Sequence, residues 1–145
     1  MQWKEEAVEK LKRYGAMQTA AKNIPEQICM LEASAVALRS PAAPKMGGHS
    51  GIRAREDALI NNLAERQELE WSLARVQQWL AVMKRGLDVL SNEEITILQR
   101  MYLSPERGAV DRLCSDLGVE QATVYRKRDK ALHHFTMAMY GFPET

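Results

Sequence analysis

Cationic side chains cluster near the C-terminal end of this 145-residue chain, in the segment that follows Gly118. They are Arg126, Lys127, Arg128 and Lys130, with Asp129 as the only acid between Gln121 and Phe135. Arginine can bond guanine O6 and N7 through both arms of its guanidinium, and lysine neutralises phosphate. Because the whole chain has a net charge of only +1, the argument for nucleic acid depends on this local surplus.

The same segment predicts a helix whose N-terminal end would reach base edges or phosphates. Val124, Ala131 and Phe135 recur at roughly heptad spacing, and Ala131 is small, as a close helix crossing requires. The predicted DNA-contacting residues are Gln121, Thr123, Tyr125, Arg126, Lys127, Arg128 and Lys130. If Arg126 and Arg128 read bases, replacing either by alanine should weaken binding by roughly 1–3 kcal/mol.

A short helix must precede and support this basic helix. Val110, Leu113 and Leu117 fall on one face of it, together with Cys114. Gly118 supplies the positive φ that ends it, Val119 can fill the turn, and the next helix begins at Glu120 or Gln121. Two such helices joined by a short turn with glycine have the layout of a helix-turn-helix.

Another short helix is predicted upstream, from Ser91. Ser91 and Glu94 have the spacing of a capping box, in which each side chain satisfies a backbone N–H of the first turn. The apolar residues that then face a core are Ile95, Leu98, Met101 and Tyr102. The stretch "SPERG" ends the helix. The sequence therefore assigns residues 91–141 to a helix-turn-helix DNA-binding domain.

A long helix over residues 55–90 carries a heptad pattern typical of a coiled coil. Its members are spaced alternately by four and three residues: Leu69, Leu73, Val76, Leu80, Met83, Leu87 and Leu90. The seam predicts a helical partner. That partner is either the N-terminal helices of the same chain, folded back antiparallel, or the same helix of a second subunit in a homodimer, and one heptad helix does not separate the two.

The N-terminal part, residues 1–39, reads as two helices, the second restarting near Pro25, which suits a first helical position. Residues 40–54 contain Pro, Gly and Ser without periodicity and predict a flexible loop with His49 in solvent. Strand signals are nearly absent. The fold class is therefore predicted to be all-α, a helical hairpin or coiled-coil segment followed by a helix-turn-helix domain.

Composition limits the remaining possibilities. Hydrophobic residues make up 46% and charged residues 27% of the chain, as in soluble globular proteins. Cys29 and Cys114 are expected to be buried free thiols, because they are far apart and each follows an apolar pattern. We expect a cytoplasmic protein with no membrane segment, cofactor or metal, and His133 and His134 to meet solvent or phosphate. No phosphate loop or catalytic grouping appears, so an enzyme is not expected.

Residues 90–132 resemble region 4 of sigma factors, the four-helix module that reads the −35 promoter element. The stretches "LCSDLGV" and "TVYRKRDKAL" match its pattern at Leu113, Leu117, Gly118, Val119, Thr123, Val124, Ala131 and Leu132. Glu120 and Lys127 depart from it, since a Ser or Thr and an apolar residue are usual there. The resemblance implies a region-4-like helix-turn-helix that binds double-stranded DNA.

Over nearly its whole length the chain is also similar to small phage and prophage proteins related to ArpU-type and RinA-type late-gene regulators. "LKRYGAMQTAAKNIPEQICMLE" and "LARVQQWLAVMKRGLDVL" carry this looser likeness. It implies a sequence-specific transcription regulator acting at promoters, with the N-terminal helices used for dimerisation or for contact with RNA polymerase. A complete sigma factor is not expected, because the first 90 residues lack an aromatic and basic cluster for melted bases.

Two alternatives remain open. The small subunit of a phage terminase, a DNA-packaging protein, also combines a helix-turn-helix with helical oligomerisation segments. In a polymerase-binding adaptor, the helix-turn-helix would only support the heptad helix. Solution mass separates the first alternative from a regulator, since packaging proteins form rings of many subunits. Salt-dependent binding to random duplex DNA separates the second.

Overall fold

The computed structural model describes residues 2–40 and 48–141, except the side chains of 48–50, and within these ranges every regular element is helical. The all-α prediction is thereby confirmed. The elements are α1 (Gln2–Arg39), α2 (Gly48–Asp88), α3 (Asn92–Leu98), a π-helical turn (Gln99–Leu103), α4 (Ala109–Leu117) and α5 (Gln121–Tyr140). None of the described helices has the length and apolar character needed to cross a membrane.

Helix α1 runs without a break through Pro25, so the prediction of two helices in residues 1–39 was wrong. A proline inside a helix removes one backbone hydrogen bond and crowds the preceding turn, which costs about 3 kcal/mol. Apolar residues are buried on both sides of Pro25, Leu11 before it and Ile28 after it. This packing along the length of α1 offsets the local cost.

Helix α2 begins at Gly48, so residues 48–54 are helical, although the sequence places them in a loop. Glycine lowers helix propensity by only about 1 kcal/mol, so the glycines at this end do not prevent a long helix from starting there. Residues 41–47 of the predicted loop lie outside the described residues, and so does the side chain of His49.

The chain divides into two compact units, unit 1 with residues 1–18 and 78–145 and unit 2 with residues 19–77. The main core of unit 1 joins the start of α1, the end of α2, α3 and α5. Its buried members are Ala7, Leu11, Met83, Leu90, Leu98, Ala131, Leu132, Phe135 and Met139. In this unit the heptad residues Met83 and Leu90 therefore pack within the chain.

Close packing in this core explains Gly86 of α2. A Cβ atom built at Gly86 would lie 2.6 Å from the Phe135 ring and 2.9 Å from the Phe135 carbonyl oxygen. Non-bonded atoms essentially never approach a Cβ atom so closely. The end of α2 therefore lies directly against α5, and only a residue without a side chain fits at the crossing.

A smaller core cluster in unit 1 consists of Ile97, Leu113 and Val124, one residue from each of α3, α4 and α5. The π-helical turn, in which the Ser104 N–H donates to the Gln99 carbonyl at 2.8 Å, lets adjacent residues serve both clusters. Met101 packs against the smaller cluster, and Tyr102 packs against the main core. The extra residue of a π turn changes side-chain direction in this way without ending the helix.

The capping box predicted at the start of α3 is confirmed. The Glu94 N–H donates to Ser91 Oγ at 3.2 Å, and the Ser91 N–H donates to Glu94 Oε1 at 3.1 Å. The Glu94 carboxylate also lies 2.8 Å from His134 Nδ1 on α5. The first turn of α3 is thereby joined to α5.

In unit 2 the parts of α1 and α2 lie side by side. Asn62 is the one buried polar residue among those described, and its Nδ2 donates to the Leu31 carbonyl at 2.8 Å. Its Oδ1 accepts from Arg66 Nε, also at 2.8 Å. A single buried asparagine between two helices fixes their register at some cost in stability.

Candidate nucleic-acid interface

The turn between α4 and α5 has the backbone geometry expected from the sequence. Gly118 ends α4 in the left-handed region, with φ 64° and ψ 39°, and the Val119 N–H donates to the Cys114 carbonyl at 3.2 Å. Glu120 is extended, and α5 begins at Gln121. The predicted positions of the positive-φ glycine and of the helix start are therefore confirmed.

Helix α5 is held from one side along its whole length. Near its start, Val124 is buried against α3 and α4, and farther along Ala131, Phe135 and Met139 enter the main core. Val119 packs into the smaller cluster beneath the turn, as expected. The first half of α5 therefore has a buried side that fixes its rotation and an outer side that is available for contacts.

The outer side carries Arg126 and Lys130, which are both exposed. Arg126 and Lys130 are four positions apart, so they lie about one helical turn apart on the same face. Gln121 and Ala122 are also exposed, in the first turn of α5, but Gln121 lies about 140° around the helix from Arg126. Within the part of the chain that the structure describes, no ion pair or hydrogen bond holds the Arg126 guanidinium or the Lys130 ammonium. We call Arg126 and Lys130 the outer polar row.

Lys127 does not belong to the outer polar row. Its Nζ lies 2.5 Å from Glu93 Oε1 at the start of α3. Lys127 therefore forms an ion pair between α5 and α3. The sequence placed it among the DNA contacts because adjacent cations in a helix appear alike until the neighbouring helix is known.

Arg128 is also used within the chain. Its Nε and Nη2 donate to Asp129 Oδ1 at 3.0 and 2.8 Å, and its guanidinium lies over the Tyr125 ring, 4.8 Å from the centroid. Burial lowers the pKa of Arg128, but the Asp129 and Tyr102 interactions outweigh this effect and raise it. Arg128 therefore stays charged while it braces α5 against the π-helical turn.

Asp129 lies at the edge of the outer face, and its charge is compensated. Lys4 of α1 approaches Asp129 Oδ2 to 3.2 Å, while Arg128 bonds the other oxygen. Burial raises the pKa of Asp129, and these two cations more than offset it, so the pKa is lowered overall. The acid that the sequence places among the cations thus has partners of its own, which leaves the charge of Arg126 and Lys130 in excess.

The remaining predicted contact residues are partly buried. Thr123 is half-buried, and its N–H donates to the Glu120 carbonyl at 3.0 Å in the first turn of α5. Tyr125 is half-buried beneath Arg128. Among the described side chains none caps the start of α5, where Glu120 replaces the usual Ser or Thr.

Sequence reasoning missed three residues that position α5: Lys4, Glu93 and Tyr102. Each reaches α5 from a distant part of the chain, Lys4 from more than one hundred positions away. No local pattern marks such partners. The only available signal was the charge of Glu93 at the start of α3, and an acid at a helix start is usually explained by the helix dipole alone.

The paired histidines and the cysteines differ from expectation in part. His134 bonds Glu94 rather than solvent, while the exposed His133 meets Trp3 edge-on at 6.0 Å between ring centroids. Both cysteines are free, but Cys29 is exposed and Cys114 is half-buried, so the prediction of buried thiols was wrong. Cys29 follows the buried Ile28 in α1, but its side chain lies about 100° farther around the helix and is exposed.

Comparison of the chain with family models, with curated proteins and with solved structures gives no match.

Proposed function

We propose that this chain binds double-stranded DNA by placing the N-terminal half of α5 in the major groove, and that it is a sequence-specific transcription regulator of phage or prophage origin. One observation carries the proposal. Arg126 and Lys130 are exposed on the outer face of α5 without an ion pair or hydrogen bond among the described residues, while the other face of the helix is packed. An α-helix fits the major groove of DNA. There, arginine is the side chain that most often contacts guanine edges, and lysine neutralises phosphates.

Gln121 and the two residues of the outer polar row have separate roles in this proposal. Arg126 lies in the second turn of α5, where a bidentate contact with guanine O6 and N7 is within reach of a guanidinium. Gln121 occupies the start of the helix and is suited to an adenine edge or a phosphate. Lys130 lies one turn beyond Arg126, and its charge is suited to the phosphate backbone.

Arg128 and Lys127 position the recognition helix in this proposal. The ion pair with Glu93 and the contacts of Arg128 with Asp129, Tyr125 and Tyr102 fix α5 before DNA arrives. A helix that is already held in its bound orientation loses less entropy on binding. The revised expectation is that Arg128→Ala changes both stability and DNA affinity, whereas Arg126→Ala changes DNA affinity alone.

The regulatory part of the proposal rests on the resemblance to sigma region 4 and to late-gene regulators. In that reading the region-4-like helix-turn-helix binds a promoter, and α1 and α2 form a helical hairpin that serves self-association or contact with RNA polymerase. A terminase small subunit has the same DNA-binding requirement. Its ring of many subunits would be seen directly in the mass of the protein in solution.

The experiment begins with selection of a binding sequence from a random duplex pool and measures affinity by fluorescence anisotropy. Arg126→Ala should weaken binding by about 1–3 kcal/mol and relax the preference at one base pair. Lys130→Ala should weaken binding to every sequence alike and reduce the salt slope by about 1. Lys84→Ala, which removes an exposed cation from α2, is the matched control and should bind as the wild type does.

The proposal fails if Arg126→Ala and Lys130→Ala bind the selected duplex with the wild-type affinity and salt dependence. It fails also if the wild type shows no salt-dependent binding to any duplex, the result expected of an adaptor. Thermal unfolding of each variant shows whether a loss of affinity reflects a loss of the folded state, because the two exposed side chains support no described contact.

A further inference from the structure

Helix α2 carries an exposed apolar stripe within unit 2, besides the heptad seam. Its members are Ile52, Ile60, Leu63 and Trp71, with exposed fractions of 61%, 64%, 48% and 74%. At about 100° per residue, their spacing keeps all four within an arc of roughly 100°. We call these four residues the second stripe.

The second stripe differs from the seam that the heptad pattern marks. In unit 2 the heptad residues Leu69, Leu73 and Val76 are half-buried, and the buried Asn62 bonds the α1 backbone on the same side. That side of α2 is therefore occupied within the chain. The second stripe lies more than a quarter-turn away from it and remains in solvent.

We propose that the second stripe is the interface of a homodimer in which the α2 helices of two copies pack antiparallel, with the two-fold axis between Asn61 and Asn62. The occupant is thus a second copy of this chain. Isologous association requires one surface patch to be complementary to itself. The second stripe and the charged residues that border it both meet that requirement.

The apolar residues are placed symmetrically about the proposed axis. In this antiparallel pairing, Ile60 lies level with Leu63 of the second copy, and Ile52 lies level with Trp71 of the second copy. Each pair then occurs twice, so four apolar layers are spread over about 30 Å of helix. Between them Glu56 lies level with Gln67 of the second copy, whose amide can donate to the carboxylate.

Charge complementarity selects the same register. Arg53 borders the stripe at one end and Glu70 at the other, and both are exposed. The axis that brings Ile60 level with Leu63 also brings Arg53 level with Glu70 of the second copy, so the dimer has two opposite-charge pairs. A parallel, in-register pair would instead oppose Arg53 with Arg53. The charges therefore favour the antiparallel arrangement over the parallel one.

The composition of unit 2 gives an independent reason for a partner. Among its described residues, the buried hydrophobic side chains are Ile28 and Ala35 only. Two helices side by side bury one face each, and a second pair of helices is the usual way to cover the next face. The inference does not rest on the proposed DNA contacts, since all the residues involved belong to unit 2.

The first test measures mass by sedimentation equilibrium over a wide concentration range, without DNA. Wild type should show a concentration-dependent monomer–dimer equilibrium, and Leu63→Glu should raise the dimer Kd by about 30-fold or more, because it puts two carboxylates beside the axis. Met30→Glu is the matched control, since Met30 is 71% exposed on α1 and lies outside the second stripe. The average solution mass of Met30→Glu should equal that of the wild type at every concentration.

Circular dichroism keeps the first test interpretable. Leu63 is half exposed in the chain, so Leu63→Glu should retain the wild-type helical content. The proposal is overturned by a protein that stays monomeric at every concentration, and equally by a dimer or ring whose mass Leu63→Glu leaves unchanged. If Leu63→Glu loses helical content, the charge variants described next test the proposal instead, because they change exposed side chains.

The second test examines the register by exchanging charges. Arg53→Glu and Glu70→Arg should each raise the dimer Kd about three- to tenfold, because each puts like charges level with one another. The double variant restores opposite charges at both positions and should recover the wild-type Kd. Either of two results overturns the antiparallel register centred between Asn61 and Asn62. In one, the double variant weakens the dimer by the sum of the two single effects. In the other, the single variants leave the dimer Kd unchanged.

Discussion

The two units of the chain differ in what they bury. Of the fourteen buried hydrophobic residues among those described, twelve belong to unit 1 and two to unit 2. The exposed large hydrophobic residues are distributed the other way, with six of eight in unit 2. Unit 1 combines parts of α1 and α2 with α3, α4 and α5, whereas unit 2 has only α1 and α2.

The difference shows what the three additional helices of unit 1 contribute. A helix in a two-helix layer leaves most of its circumference in water, so its apolar residues cannot all be buried, whatever their pattern. Unit 1 has enough elements to enclose Phe135 and Leu11 completely. Unit 1 has its own core and the cationic outer face of α5, and unit 2 has surface left for another copy.

The strongest test of this comparison removes a large side chain from each unit. Phe135→Ala should lower the free energy of unfolding by about 3–5 kcal/mol, because Phe135 is fully buried in the main core. Ile28→Ala in unit 2 should cost about 2 kcal/mol, at the lower end for such truncations, since Ile28 is 9% exposed in a thin layer that can close around the gap. Urea unfolding at neutral pH measures both.

Equal costs for these two variants would break the comparison, since they would mean that unit 2 packs as tightly as unit 1. Concentration must be held below the dimerisation range, or Ile28→Ala would also report on association. Met30→Ala serves as the control in unit 2, because its exposed side chain should cost little.

A second prediction tests how closely α2 and α5 are packed in unit 1. Gly86→Ala should destabilise by about 1–3 kcal/mol, although alanine is the better helix former, because the new methyl would overlap the Phe135 ring and its carbonyl. Gly15→Ala in α1 meets no atom within 4 Å and should stabilise by about 0.5–1 kcal/mol. A stabilising Gly86→Ala would contradict the described helix crossing.

The helices could be predicted largely from local signals in the sequence. The capping box at Ser91, Gly118 with its positive φ and the start of α5 at Gln121 each depend on residues within a few positions of one another. The predictions failed where distant packing decides the outcome. α1 passes through Pro25, and α2 begins at Gly48, because long helices held along their length tolerate residues that would end isolated ones.

The candidate interface could be predicted only as a set of residues, not as roles. Composition and spacing identified the basic run in α5, but the adjacent cations Arg126, Lys127 and Arg128 point in three different directions. Which of them face outward depends on Glu93, Tyr102 and Lys4, which are far away in the chain. Only the folded arrangement separates Arg126 and Lys130 from Arg128.

A third prediction concerns the acid stability of unit 1. Burial raises the pKa of Glu94, but hydrogen bonds from Ser91 and His134 and the charge of His134 more than offset this, so the pKa is lowered from 4.5. Glu94 therefore contributes stability above about pH 4.5 that is lost as the pH falls through its lower folded value. The Tm of the wild type should fall as the pH is lowered below about 4.5, and the Tm of Glu94→Gln should fall less over the same range.

Two controls make the acid prediction specific. Glu5→Gln removes an exposed acid from the first turn of α1 and should leave the pH profile nearly unchanged. Ser91→Ala removes the other half of the capping box and should cost about 1 kcal/mol at neutral pH. An identical acid profile for wild type and Glu94→Gln would show that the Glu94 contacts contribute nothing to stability.

The smallest expected effect belongs to the ion pair between Lys127 and Glu93. The side chains are 36% and 44% exposed, so water screens the pair, and Lys127→Ala should lower the free energy of unfolding by less than about 1 kcal/mol. The effect should shrink further in high salt. A loss of more than about 2 kcal/mol in urea unfolding would show that exposed ties between helices stabilise unit 1 as strongly as its core. The contrast between the two units could then no longer be explained by buried apolar side chains alone.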